Sequence, residues 1–149
     1  MMDRLLNIIP NSVPGVLMAP VSDWDSIPDW AKSSAYVARV LKIVRGDENG
    51  AFNPNAPITR QEMFLMVYRA LRYGFGEVDH DLWRLPQYNH LISYPHDREE
   101  IADWALYQIA YLYTIGIVKG VDGDVHPRDA ATRAEAAQIL YNLLEYDRG

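Results

Sequence analysis

The sequence predicts an all-α fold of tandem helix–loop–helix repeats packed around a shared helical core, and two observations carry that expectation. The chain repeats itself: Asp23, Ile27, Asp29, Trp30 and Ala31 return 74 positions later as Asp97, Ile101, Asp103, Trp104 and Ala105, and Ile43-Val44-Arg45-Gly46 returns as Ile117-Val118-Lys119-Gly120. One position is then lost, and Gly50, Pro54, Thr59, Arg60, Glu62, Tyr68 and Leu71 come back as Gly123, Pro127, Thr132, Arg133, Glu135, Tyr141 and Leu144. Order and residue type are both kept, so the chain is a duplication rather than a coincidence of composition. The second observation is periodicity: apolar residues recur at three- and four-residue spacing in two stretches of each repeat, which is the signature of amphipathic helices.

The elements follow in chain order. Residues 1–20 hold Leu5, Leu6, Ile8, Ile9, Val16 and Leu17, interrupted by Asn7, Pro10, Asn11 and Pro14. With Asp3 and Arg4 in front and no Ala-x-Ala site, the segment reads as an N-terminal arm and not a secretory signal. Repeat 1 spans 21–72. Its first helix places Ile27, Trp30, Ala31, Ser34, Val37, Ala38, Leu41 and Val44 on one stripe, which puts Trp30 in the core. A loop rich in Gly, Asp, Asn and Pro follows from 46 to 57. Then Thr59-Arg60-Gln61-Glu62 forms a capping box, with the Thr hydroxyl on an N3 amide and the Glu reaching back to the cap. Residues 73–95 form an aromatic insertion or linker with Trp83, Tyr88 and Tyr94, too aromatic for a flexible tether and expected to pack. Repeat 2 spans 96–149, with its own stripe through Ile101, Trp104, Ala105 and Leu112 and its own box at Thr132-Arg133-Ala134-Glu135.

Composition excludes several classes. The chain has 149 residues, 49% of them hydrophobic, enough for a core of one domain or two small repeats. Fourteen basic against twenty acidic residues give a net charge of −6, a poor match to nucleic acid or an anionic bilayer. No apolar run reaches the roughly 18 residues of a membrane span. Cysteine is absent, which removes disulfides, thiolate metal sites and cysteine nucleophiles. His80, His90, His96 and His126 lack metal-binding spacing, Asp47-Glu48-Asn49-Gly50 has its glycine in the wrong place for a calcium loop, and no nucleophile or phosphate-loop motif is present. No metal, cofactor or catalysis is expected.

Asp-Trp-Ala opening a helix, then Ile-Val-(Arg/Lys)-Gly, Gly-x-(Phe/Val)-x-Pro and Thr-Arg-x-Glu, resembles the S-layer homology repeat, and the resemblance covers most of the chain twice over. It implies a non-catalytic module that holds surface proteins on the bacterial envelope. The implied partner is a secondary cell-wall polysaccharide, acidic and often pyruvylated, met by the arginine of Thr-Arg-x-Glu in grooves between repeats. That makes Arg60 and Arg133 the leading ligand-binding candidates. The residues support this independently, because both arginines sit at the first position of a helix, where the macrodipole disfavours a cation. A bound carboxylate held by guanidinium and free helix amides together would account for the choice. A partner Asp or Glu within the fold is the plainer account.

Gly46 and Gly120 are further candidates through close backbone approach, with φ > 0 turns as the simpler role. Asp29 and Asp103 are candidates too, with helix-end electrostatics as theirs. Family members commonly carry three repeats and this chain shows two, so an apolar flank is expected to be covered by a homo-oligomer or a larger assembly. The expected place is the outer surface of a bacterial envelope or of a phage particle. The alternative function is a structural virion protein whose repeats pack on protein partners or dock on host glycan.

Overall fold

The computed structural model describes residues 21–75 and 90–147; the expected arm at 1–20 and most of the insertion, with Trp83 and Tyr88, lie outside the described residues. Four helices are described: α1 (Asp29–Val40), α2 (Arg60–Phe75), α3 (Asp103–Thr114) and α4 (Arg133–Asp147). Short 3-10 turns, Trp24–Ser26 and Arg98–Glu100, lead into α1 and α3. Among the described residues there is no strand, only the isolated bridges Thr59–Ala130 and Val121–Asp124, so the all-α expectation holds.

The duplication is visible in the backbone itself. The α1 terminus closes with the amide of Lys42 on the Arg39 carbonyl and that of Ile43 on Ala38, at 2.9 and 2.8 Å. The α3 terminus repeats this with Gly116 on Tyr113 and Ile117 on Leu112, at 3.1 and 3.0 Å. Both are Schellman closures, which require a left-handed residue after the helix. Gly116 supplies it at φ 74° and Lys42, unusually for a side-chain-bearing residue, at φ 58°.

Each following loop is held by one aspartate from the preceding repeat start. Asp23 accepts the amides of Phe52 and Asn53, both at 2.7 Å. Asp97 accepts those of Val125 and His126, at 3.0 and 2.7 Å. Asn53 and His126 both carry positive φ, so the clamp stabilises a strained turn in the same place twice. These two aspartates are among the repeated residues, but their role as loop clamps is not evident from spacing.

Compactness divides the chain into Met1–Ala56 and Pro57–Gly149. In the first body, Val21, Ile27 and Ala35 are buried, with Trp24, Ala31 and Phe52 packed on them. In the second, Phe64 and Leu71 of α2, Ile109 and Leu112 of α3, and Ile117 and Val125 of the loop are fully buried. There α2 packs on α3, with the Tyr68 and Tyr111 rings edge to face at 5.8 Å. Burial pushes the Tyr111 hydroxyl up to about 12, so it stays protonated.

Two packing expectations are corrected. Trp30 is 86% exposed and Trp104 51% exposed, not core residues. The core stripe is centred on Ala31 and Ala35 and on Ala105 and Ile109, and a residue one position earlier is turned about 100° round the helix. Tyr94 of the insertion is also on the surface, with the Arg98 guanidinium 5.7 Å over its ring.

Candidate functional site

Both capping boxes form. The Thr59 amide donates to Glu62 at 2.7 Å and the Glu62 amide reaches the Thr59 hydroxyl at 3.4 Å. Thr132 and Glu135 repeat the exchange at 2.8 and 3.2 Å. This places Arg60 and Arg133 at the first residue of α2 and of α4.

From there the two arginines diverge. The Arg60 side chain is only 12% exposed, ion-paired with Glu135 of α4 and 5.7 Å from the Phe64 ring centroid. Burial lowers its pKa, opposed by the charges of Asp129 and Asp97; a guanidinium stays protonated regardless. The amides of Arg60 and Gln61 donate to the Asp129 and Pro127 carbonyls at 2.8 and 2.9 Å. The expectation that free amides and guanidinium would greet an anion together therefore fails at α2, because the 127–130 loop occupies those amides. Arg133 is exposed, and among the described residues neither its guanidinium nor the amides of Arg133 and Ala134 has a partner.

Arg60 lines a groove of about 180 Å³ with Phe64, Lys119, Gly120, Gln138 and Asn142. Asn142 is buried and fixed, its amide nitrogen on the Ile117 carbonyl at 2.9 Å and its oxygen accepting from Gln138 at 3.0 Å. The Arg60 Nε is buried with no acceptor, while its Nη1 is taken by Glu135. Lys119 is exposed at the rim with no carboxylate partner among the described residues.

The remaining candidates have structural roles. At Gly46 (φ 77°) a Cβ would stand 2.7 Å from the Ala51 carbonyl oxygen, and at Gly120 (φ 68°) it would collide with that of Asp124. Only glycine fits either turn, although Gly120 also borders the groove. Asp29, 95% exposed, is paired with Lys32 at 2.7 Å, and its pKa is lowered by that hydrogen bond. Asp103 is exposed in the first turn of α3, where it complements the helix dipole. No group of acidic or histidine side chains able to hold a metal is found among the described residues, and no described helix is long and apolar enough to cross a membrane.

The described residues thus form a duplicated all-α module with an arginine-lined groove and loop-clamping aspartates. The S-layer homology domain model matches residues 22–64 and 96–137, and the chain belongs to that family. Domains of this family occur on bacterial cell-surface proteins and anchor them to a cell-wall polymer. The chain is 36% identical over 143 residues to an amylopullulanase of Thermoanaerobacterium thermosulfurigenes, covering 95% of the chain and 7% of that protein. It is 34% identical over 118 residues to exoglucanase XynX of Acetivibrio thermocellus, 78% of the chain and 10% of that protein. It is 28% identical over 144 residues to a surface-layer 125 kDa protein of Lysinibacillus sphaericus, 91% and 10% respectively. The chain thus spans about a tenth of these relatives, and they lend no support to the virion alternative. No solved structure matches significantly.

Proposed function

We propose that this chain is a non-catalytic anchor that binds an acidic, secondary-cell-wall polysaccharide on the outer face of a bacterial envelope. The observation that carries the reading is the Arg60 groove. A guanidinium held rigid by Glu135 still has a buried Nε without an acceptor among the described residues, beside the Lys119 ammonium, which has no carboxylate partner among them either. A sugar carboxylate entering the groove would supply that acceptor and a counter-charge for Lys119. Gln138 and the Gly120 edge would meet ring hydroxyls. Preorganisation by Glu135 and Asn142 lowers the ordering cost of binding. Exposed Trp104 and Trp30 offer apolar faces of the kind that stack on sugar rings. The test is sedimentation with purified cell walls before and after chemical removal of the polysaccharide. Binding lost on removal supports the reading, and binding unaffected by removal refutes it.

Self-association is the second partner proposed, and one comparison favours it. In α2, Tyr68 and Leu71 are buried against α3. Their counterparts in α4, Tyr141 and Leu144, are 58% and 44% exposed, with Leu140 at 57%. The α2 amides are taken by the 127–130 loop, whereas those of Arg133 and Ala134 have no partner among the described residues. The first repeat of a second copy fits this vacancy. Its Pro28 stands where Ala102 donates an amide to Gln61 at 3.1 Å, and α4 carries Ala134 where α2 carries Gln61, so donor and acceptor are lost together. Glu62 of that second copy would face Arg133 as Glu135 faces Arg60. Light scattering after size exclusion tests this: a monomer at micromolar concentration refutes it.

A further inference from the structure

We infer that Arg39, Lys42 and Arg45 form a second, separate anion site, built for a phosphate-bearing sugar. The three line a groove of about 380 Å³ together with Val44. That volume lies within the roughly 300–1,000 Å³ of small-molecule sites and leaves room for a ring beside the anion.

Three observations converge. The first is unbalanced charge: among the described residues none of the three cations has a carboxylate within ion-pair distance. Asp47, the next carboxylate along the chain, accepts instead from the amides of Asn49 and Ala51 and from the Asn53 side chain, at 2.9, 2.9 and 3.0 Å. Three unpaired cations in one groove are out of keeping with a chain of net charge −6. The second is an unmet donor: Arg39 is anchored by its Nη1 on the Arg45 carbonyl at 3.1 Å, yet its Nε is buried without an acceptor.

The third is strain. Lys42 occupies the left-handed position that closes α1, where the other repeat uses Gly116. A side chain there crowds its own backbone relative to the right-handed form, a penalty glycine avoids. Repetition does not explain the cluster either, because the corresponding residues in repeat 2 are Tyr113, Gly116 and Lys119, a single cation. Strain retained at a residue that completes a cationic groove points to ligand binding.

The cationic groups come from three places in the chain, the last turn of α1, the closure and the loop. A carboxylate offers two coplanar oxygens, suited to one guanidinium fork. A phosphate monoester offers three oxygens in a tetrahedral array and close to two charges, which matches three separated cations.

The probes are glucose 6-phosphate, glucuronate and glucose, titrated into the full chain while backbone amide shifts are followed by NMR. The expected result is saturable shifts at residues 39–46 with glucose 6-phosphate, at least tenfold weaker with glucuronate, and absent with glucose. Lys42→Gly should leave the thermal melt no lower while weakening glucose 6-phosphate roughly tenfold or more, the scale of one charged hydrogen bond. Arg45→Gln should do the same without touching the helix closure. No saturation with glucose 6-phosphate, equal affinity for glucuronate, shifts confined to 119–121, or unchanged affinity in both variants would each overturn the proposal. Because the shifts are read residue by residue, failure here is distinct from failure of the Arg60 groove.

Discussion

Glu135 holds two elements at once: one carboxylate oxygen accepts the Thr132 amide that starts α4, and the other takes the guanidinium of Arg60, 75 residues earlier. Glu62, its counterpart, uses a single oxygen for the Thr59 amide and hydroxyl, and among the described residues the other is unengaged. The same capping residue thus ties α4 to α2 in one repeat and only starts a helix in the other.

That asymmetry predicts unequal costs. Glu62→Ala should destabilise by ~0.5–2 kcal/mol, the value of a helix cap. Glu135→Ala should cost more, about 2–3 kcal/mol. It strands a largely buried cation, although partial exposure of both side chains keeps the loss below the ~3–5 kcal/mol of fully buried pairs. Urea unfolding of the two variants checks this, and equal losses would contradict the bridging role.

Asp23 and Asp47, the two aspartates that hold the first loop, predict a pH dependence. Hydrogen bonds from the Phe52 amide to Asp23 and from the Ala51 amide to Asp47 hold both carboxyls below the usual 3.8. A group with a depressed folded pKa contributes stability above its unfolded pKa, and the contribution is lost as pH falls through the folded value. The thermal midpoint should therefore drop below about pH 4, and Asp23→Asn with Asp47→Asn should start lower and flatten that drop. Melts between pH 2 and 7 read this directly; an undiminished acid slope in the double variant would contradict it.

Gly120→Ala should destabilise by about 1–3 kcal/mol, since it combines a positive φ with a collision on the Asp124 carbonyl. Gly50→Ala shares the positive φ but meets nothing within 4 Å, so it should cost less. Denaturation midpoints that rank the other way would remove the close-approach argument.

If a second copy covers α4, Tyr141→Ser with Leu144→Ser should yield a folded monomer while the unmodified chain sediments as an oligomer. Circular dichroism guards against simple unfolding, and identical oligomeric state in the two proteins would contradict the assigned face.

Repetition and periodicity made the four helices, both capping boxes and the places of Arg60 and Arg133 legible, because those features are written within a few residues of one another. What escaped depends on distance or on angle. The Glu135 partner of Arg60 lies in the other repeat, and the 127–130 loop that occupies the α2 amides is as remote, so nothing local separates Arg60 from Arg133. Trp30 missed the core by a single position round the helix, a displacement that an apolar stripe containing both Trp30 and Ala31 conceals. Arg39, Lys42 and Arg45 line one groove across the left-handed closure of α1, which their spacing does not show.

The most direct test of the central claim is the affinity of purified wall polysaccharide for the unmodified chain and for Arg60→Gln, by calorimetry at fixed ionic strength. Loss of one charge-assisted hydrogen bond predicts weakening by ~1.5–3 kcal/mol, with the helical signal kept. Equal affinity of the two folded proteins would contradict the assignment of the groove.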